Sequence, residues 1–338
     1  MTTSERGVRQ ETDRGEIPVG GENREKRLSG RQAARRFFLK LCGAALTAGV
    51  AAPVHAHFIE PYALDLTDHE VFLPDLPAAC DGLRIAHLTD LHRGAPTPDI
   101  VLRQAITRAA AARPDLVVVT GDFVEHFASD ARAVAGMLGE LTPRYGIWGC
   151  LGNHDYREDA DAVTADLEKH SALRMLRNGS AEIVPNLHLA AIEDTERGRP
   201  DGDAALADVP DGSALIFLTH NPKGVFHVTD RSCLALAGHT HGGQVVVPGF
   251  PPPTPSGMEG FPLIAGWGTF DRAQLYVSRG IGMSSLPIRF NCRPEVALVT
   301  LRRGDGPPKT GSDLTGRATR KVARVARKLW RKVGGHGA

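Results

Sequence analysis

The run LRIAHLTDLHRGAPTPDIVLRQAITRAAAARPDLVVVTGD, residues 83–122, shows the build of the whole protein. Leu83–Thr89 is an apolar, strand-like stretch that ends in Asp90-Leu91-His92. Thr97-Pro98-Asp99 then supplies an N-cap, a proline at the first helical position and an acid in the first turn. The helix they open reads to about Ala112, where Pro114 stops it. Leu116–Thr120 is continuously apolar and rich in valine, as a strand covered on both faces should be. It ends in Gly121-Asp122. Strand, helix, strand, with a polar residue at each carboxyl end, is the unit of an α/β layered domain.

The same alternation continues downstream. Ser129 can cap a helix to about Leu141, Tyr145–Leu151 reads as a strand, and Glu158–His170 has a helical pattern. Further strands are expected at Leu187–Ile192, Ala214–Thr219, Ser232–Ala237, Leu275–Ser278 and Glu295–Leu301. The stretch 249–262 is crowded with Pro and Gly and reads as a loop. One domain is expected over 80–303, with 57–79 as a lead-in.

A chain of 338 residues, 42% hydrophobic and 23% charged, is long enough for a sizeable core and excludes disorder, collagen and coiled coil for the bulk. No apolar run approaches the roughly 18–20 residues of a membrane-spanning helix. Five cysteines make no disulfide scaffold, and Cys150 and Cys233 sit in apolar runs as buried thiols. Net charge is +1, but it is unevenly spread. Residues 1–56 hold 10 Lys/Arg and 6 Asp/Glu, and residues 317–338 hold 8 and none. Of the 40 and 39 in the chain, 22 and 33 therefore fall in 57–316, a net −11. An acidic body argues against nucleic acid as partner, because phosphate backbones need a basic face.

Two terminal segments read as addresses. Arg35-Arg36-Phe37-Phe38-Leu39-Lys40 precedes a mild apolar stretch from Leu41 to Ala52, and Val54-His55-Ala56 offers a cleavage-like site. This resembles a twin-arginine signal peptide over 1–56, which implies the twin-arginine export machinery as partner and a periplasmic or other extracytoplasmic location. Whether the leader is cut after Ala56 or kept stays open. From Arg320 to Val333 the tail fits a helix with Val322, Val325, Ala326, Leu329, Trp330 and Val333 near one face and basic residues over the rest. Such a helix suits an anionic membrane surface, so 304–338 reads as a linker and basic amphipathic tail.

Metal-type residues follow five apolar runs at once: Asp90 and His92, Asp122, Asn153 with His154 and Asp155, His220, and His239 with His241. In open α/β sheets, ligands collect beyond the carboxyl ends of strands. Two aspartates, one asparagine and four histidines form a mixed N/O set without thiolate, suited to Mn, Fe or Zn. Seven ligands exceed what one ion normally takes, but serve two ions if one carboxylate bridges. His87, two residues inside a strand end, reads instead as a core histidine.

The order D-x-H, G-D, G-N-H-D, H, G-H-x-H resembles the calcineurin-like metallophosphoesterase superfamily. The later runs Ser278–Gly282 and Leu286–Phe290 resemble its exported or membrane-associated bacterial phosphodiesterases. The resemblance implies a single domain with a layered β-sandwich flanked by helices and two divalent metal ions. It also implies residue roles: Asp90, His92 and His241 on the first metal, Asp122 bridging, and Asn153, His220 and His239 on the second. His154 is then the general acid to a metal-bridging hydroxide, with Asp155 orienting it. Arg93, Arg279 and Arg289 are candidate phosphate contacts. Asp122 is followed by Phe123-Val124-Glu125-His126. The V-D-R-G arginine of phosphoprotein phosphatases and the ferric-ligand tyrosine of purple acid phosphatases are therefore both missing.

The expected function is a dinuclear metal-dependent phosphodiesterase, with a phosphodiester or phospholipid-type substrate at the membrane surface. A hydrolase of a nucleotide-sugar lipid pyrophosphate shares the same metal chemistry. A metal-binding scaffold without turnover is the non-enzymatic alternative, and it would have no chemical need for His154. A nuclease is disfavoured by the acidic body.

Overall fold

The computed structural model describes residues 49, 51–255 and 257–310, all but the first few within the unit from Pro53 onward. Most of the expected leader and all of the tail 317–338 lie outside the described residues.

Thirteen strands run along the described chain. They are β1 (Asp65–Leu73), β2 (Arg84–Leu88), β3 (Leu116–Thr120), β4 (Ile147–Cys150), β5 (Leu173–Met175), β6 (Gly179–Val184) and β7 (Leu187–Ala191), then β8 (Ala214–Leu218), β9 (Cys233–Ala237), β10 (Gly266–Phe270), β11 (Ala273–Val277), β12 (Glu295–Arg303) and β13 (Lys309–Thr310). They form two sheets, one ordered β13-β1-β12-β2-β3-β4-β5 and the other β10-β11-β9-β8-β7-β6. β2 to β5 are parallel, as are β7, β8, β9 and β11.

Period-2 alternation assigns each strand residue to a layer. Ile85, Leu116, Val118 and Trp148 meet Leu189, Ile216, Leu218, Leu234 and Leu236 in the core between the sheets. The alternate residues Ala86, Leu88, Val117 and Val119 pack outward against α1 (Asp99–Ala111), α2 (Ala131–Leu138) and the later helix Ala160–His170. On the far side, Leu215, Phe217, Cys233 and Ala235 pack with Ala205, Val225 and the 258–263 loop. The result is a β-sandwich flanked by helices, and β3 is buried along its whole length because both its faces are covered.

The expected lead-in 57–79 needs correction. Its residues 65–73 form β1, which pairs with β12 in parallel along all nine residues. The sequence hides this strand because Asp68 and Glu70 sit on its partly open face, while Asp65, Thr67 and His69 put polar residues on the other. Residues 53–58 are helical, and the Ala56 carbonyl accepts the Arg289 backbone N–H at 2.9 Å, so Ala56 is buried against the domain. All four described cysteines are free and buried.

Candidate metal centre

The carboxyl ends of β2, β3, β4, β8 and β9 converge on one crevice between the sheets. Within the first sheet, the Asp90 N–H donates to the Gly121 carbonyl at 3.1 Å and the His92 N–H to the Asp122 carbonyl at 2.9 Å. Across the sheets, the His239 N–H donates to Asp90 Oδ1 at 2.9 Å. Two glycines permit this approach. A Cβ on Gly152 would run into the Asp122 carboxylate, and one on Gly238 into Thr89 and Asp90. Asp90, His92, Asp122, His239 and His241 all have φ between 45° and 70°. Left-handed backbone costs a non-glycine residue about 1–3 kcal/mol and concentrates at functional sites.

The side chains expected to ligate metal do come together. His92 Nε2 lies 3.0 Å from His241 Nε2, and His241 Nε2 lies 3.5 Å from Asp90 Oδ1. Asn153 Oδ1 lies 3.1 Å from both His220 Nε2 and His239 Nδ1, which are 3.3 Å apart. Asp122 joins the two groups. Its Oδ2 is 3.3 Å from His92 Nε2 and 3.3 Å from His220 Nε2. Asp90, His92 and His241 could hold one cation, and Asp90, Asp122 and His220 also form a cation-sized cluster.

Electrostatics fit cations here. Burial raises the Asp90 carboxyl. Burial also pushes Asp122 upward, yet His220 and His92 outweigh it and hold this carboxyl well below its usual range. Burial, reinforced by His220, lowers His239 to about 3, and burial with His92 and Arg289 lowers His241. Both rings are thus neutral, with lone pairs to offer. His220 Nδ1 is 2.7 Å from the Thr120 carbonyl, to which it must donate, which turns Nε2 toward the cluster. That backing hydrogen bond is how proteins orient metal-ligating histidines. The buried, facing nitrogens and shared carboxylate are the donor set of borderline divalent cations.

Four expectations are corrected by the geometry. Asp155 does not orient His154. Its carboxylate accepts the N–H groups of Phe123, Val124 and Gly152 at 2.9, 3.2 and 2.9 Å, locking the loop after β3 to the helix Asn153–Glu158. Consecutive helical residues do not face one another. Arg93 pairs with Asp130 and Asp99. Arg289 is fully buried, its guanidinium donating to the carbonyls of Arg279, Gly280, Gly282 and Cys292. Arg279 binds Glu295 at 3.2 Å and Asp65 at 3.1 Å. All three arginines hold the framework. His87, expected in the core, is buried with Nε2 2.8 Å from Thr120 Oγ1.

The Glu295 network carries a pH prediction. Thr67, Tyr276 and Arg279 all donate to its carboxylate. Burial would raise its pKa, but Arg279 and these hydrogen bonds bring it from 4.5 down to about 2. A depressed carboxyl stabilises the fold above its unfolded pKa, and that stability is lost as pH falls through the folded value. Acid titration of Tm should show a loss of about 3 kcal/mol from this group between about pH 4.5 and 2. Glu295→Gln should be less stable at neutral pH and flatter across that window. An unchanged acid slope in E295Q refutes the assignment.

Glu125 is the site residue that the sequence did not reveal. Its Oε2 is 2.5 Å from His92 Nδ1 and 3.1 Å from His154 Nδ1, and the group is buried. The only signal was its place three residues after Asp122 in the same loop. Burial lowers the His154 pKa, but Glu125 and Asp122 outweigh it and the net shift is upward. Since Nδ1 faces Glu125, Nε2 is the nitrogen left for the cavity. That cavity has a volume of 410 Å³. His92, Asp122, Asn153, His154, His239 and His241 line it together with Val245, Pro253, Pro255 and Leu286.

Comparison with known proteins agrees with this geometry. Residues 83–243 match the family model for calcineurin-like phosphoesterase. An uncharacterized metallophosphoesterase of Bacillus subtilis, YkuE, is 31% identical over 284 residues, spanning 82% of this chain and 99% of the relative. Escherichia coli phosphodiesterase YaeI is 30% identical over 79% of this chain and 98% of its own length. The UDP-2,3-diacylglucosamine pyrophosphatase LpxG of Chlamydia trachomatis is 27% identical over 76% and 96%. The chain belongs to the calcineurin-like phosphoesterase family and is a metal-dependent phosphoric ester hydrolase.

Proposed function

We propose that the protein is a dinuclear phosphodiesterase for phosphodiester or phospholipid-type substrates, exported by the twin-arginine route and working at a membrane surface. The observation that carries the two-cation reading is Asp122 Oδ2, equidistant at 3.3 Å from a histidine of each cluster. Asp90, His92, Asp122 and His241 would hold one ion, and Asp122, Asn153, His220 and His239 the other. When bound, such a pair neutralises phosphoryl oxygens and lowers the pKa of water. His154, its Nδ1 anchored on Glu125, presents Nε2 to donate a proton to the leaving oxygen. A scaffold without turnover would not need this arrangement.

Two relatives bracket the substrate class, one named a phosphodiesterase and one a UDP-2,3-diacylglucosamine pyrophosphatase. The apolar and proline-rich cavity wall suits substituents with hydrocarbon on them, so a lipid-linked pyrophosphate is the second reading. Purified protein with defined Mn²⁺, Zn²⁺ or Fe²⁺ should hydrolyse a nitrophenyl diester and lose that activity on chelation. The panel adds a monoester, a phospholipid and a nucleotide-sugar lipid. Activity on the monoester alone overturns the proposal.

Glu125 supplies a further expected result. Glu125→Gln removes the charged acceptor shared by His92 and His154, so cation affinity or turnover should fall about 10–100-fold. Titration of the apoprotein with Mn²⁺, together with kcat at saturating metal, reads both effects. Wild-type values for both would leave Glu125 with a packing role only.

A further inference from the structure

Three chain segments lie side by side next to the cavity, two of them contributing to its lining. The Arg289 N–H donates to the Ala56 carbonyl at 2.9 Å, and His57 Nδ1 lies 2.8 Å from the Pro287 carbonyl. Next, the Phe290 N–H donates to the Gln244 carbonyl at 2.9 Å and the Val246 N–H to the Phe290 carbonyl at 2.8 Å. Gln244 Nε2 also reaches the Leu286 carbonyl at 3.2 Å. The strips 53–59, 284–292 and 244–250 are thereby tied into one surface, and Leu286, Gln244 and Val245 belong to the cavity wall as well.

This surface is unusual in two ways. It concentrates exposed large apolar side chains: Phe250 is 71% exposed, Phe58 66% and Leu286 54%, with Ile59, Val54 and Val247 beside them in sequence. Elsewhere among the described residues only Tyr62, Leu66, Ile100 and Phe127 are comparably open. It also lacks carboxylates. No Asp or Glu occurs in 53–59, 244–258 or 284–292, although the body 57–316 carries 33 of them. Of the acids that flank it, Glu60 is buried with its carboxylate on the Cys292 N–H, Glu125 is buried with its carboxylate against Ser284 and Ser285, and Glu259, just past the 244–258 run, is exposed.

From this combination we infer that the strips 53–59, 244–250 and 284–292 form a docking face for a lipid bilayer. The side chains of Phe58, Phe250 and Leu286 enter the acyl boundary, and the cavity mouth opens at headgroup depth. An acidic body is repelled by anionic headgroups, so a carboxylate-free window is where it can approach them. Exposed aromatic and aliphatic side chains then gain by leaving water. The inference rests on the lipid-surface reading above but locates the contact on the folded domain instead of the basic tail.

The test is flotation of the full-length protein with uncharged phosphatidylcholine vesicles in about 0.5 M salt, where a Debye length of ~4 Å screens the tail. Hydrolysis of a soluble nitrophenyl diester is measured in parallel. Wild type should float, and the double variant Phe58→Ser with Phe250→Ser should partition at least about tenfold less with unchanged soluble-diester turnover. Neither phenylalanine lines the cavity or contacts the cluster. Equal flotation of variant and wild type, or no flotation of wild type, overturns the docking face. So does a wild-type dimer in sedimentation that the double variant dissolves, which would make the face a contact between two copies. Loss of diester turnover in wild type would instead sink the proposed activity, whatever the vesicles show.

Discussion

Asp122→Asn should lower turnover by roughly 10³-fold or more, even at saturating Mn²⁺, and reduce retained metal by about one ion per chain after dialysis. The expectation follows from the position of one oxygen. Asp122 Oδ2 stands 3.3 Å from His92 Nε2 and 3.3 Å from His220 Nε2, and among the other candidate ligands only Asp90 also falls in clusters on both sides. Asparagine keeps the Oδ1 acceptor used by the His154 N–H at 2.9 Å, so the loop should remain folded and Tm should move little. What is lost is the negative charge that the proposed pair of cations would share. Asn153→Ala, which removes a neutral ligand from one side only, should cost less. Near wild-type turnover in D122N at saturating metal would show that Asp122 is not shared.

The second large effect is expected at His154. His154→Asn should slow hydrolysis of an alkyl-leaving diester by about 10²–10⁴-fold. A nitrophenyl diester should lose only about tenfold, because its leaving oxygen departs without needing a proton. In the proposed assignment His154, whose Nδ1 lies 3.1 Å from Glu125, is a proton donor and not a ligand, so metal content should not change. The split between leaving groups separates a proton donor from a residue that merely shapes the pocket. Equal losses for both substrates would rule out proton donation. Together with the D122N result, this divides charge stabilisation from proton transfer in the same cavity.

Much of this site was legible in the sequence because each ligand is tied to a local signal. Asp90, Asp122, Asn153, His220 and His239 all directly follow apolar runs whose length and valine content read as strands, and parallel strands deliver such residues to one edge. The valine-rich run Leu116–Thr120 marks β3 to the residue. β1 is hidden, because Asp68 and Glu70 occupy its open face while Asp65, Thr67 and His69 place polar residues on the other. The helix expected from Ser129 to Leu141 is regular α-helix only over Ala131–Leu138, with a 3-10 turn before it. Asp155 and Glu125 show the sharper limit. Adjacent numbering suggested that Asp155 served His154, yet Asp155 is drawn back to three backbone N–H groups. Glu125, 29 residues away, holds the ring.

What the sequence determined by itself was the kind of chemistry: which ligand types exist, in which order, and at the ends of which strands. Those features depend on local patterning of apolar and polar residues, and local patterning survives without knowledge of the fold. Packing between distant segments fixes which carboxylate faces which imidazole, which carboxylates and carbonyls hold the three arginines, and which apolar side chains border the cavity. Those outcomes depend on distances between segments as much as 232 residues apart, as in the Cys292–Glu60 contact. Distances of that kind are set by how two sheets pack face to face, and no single stretch of the chain encodes them.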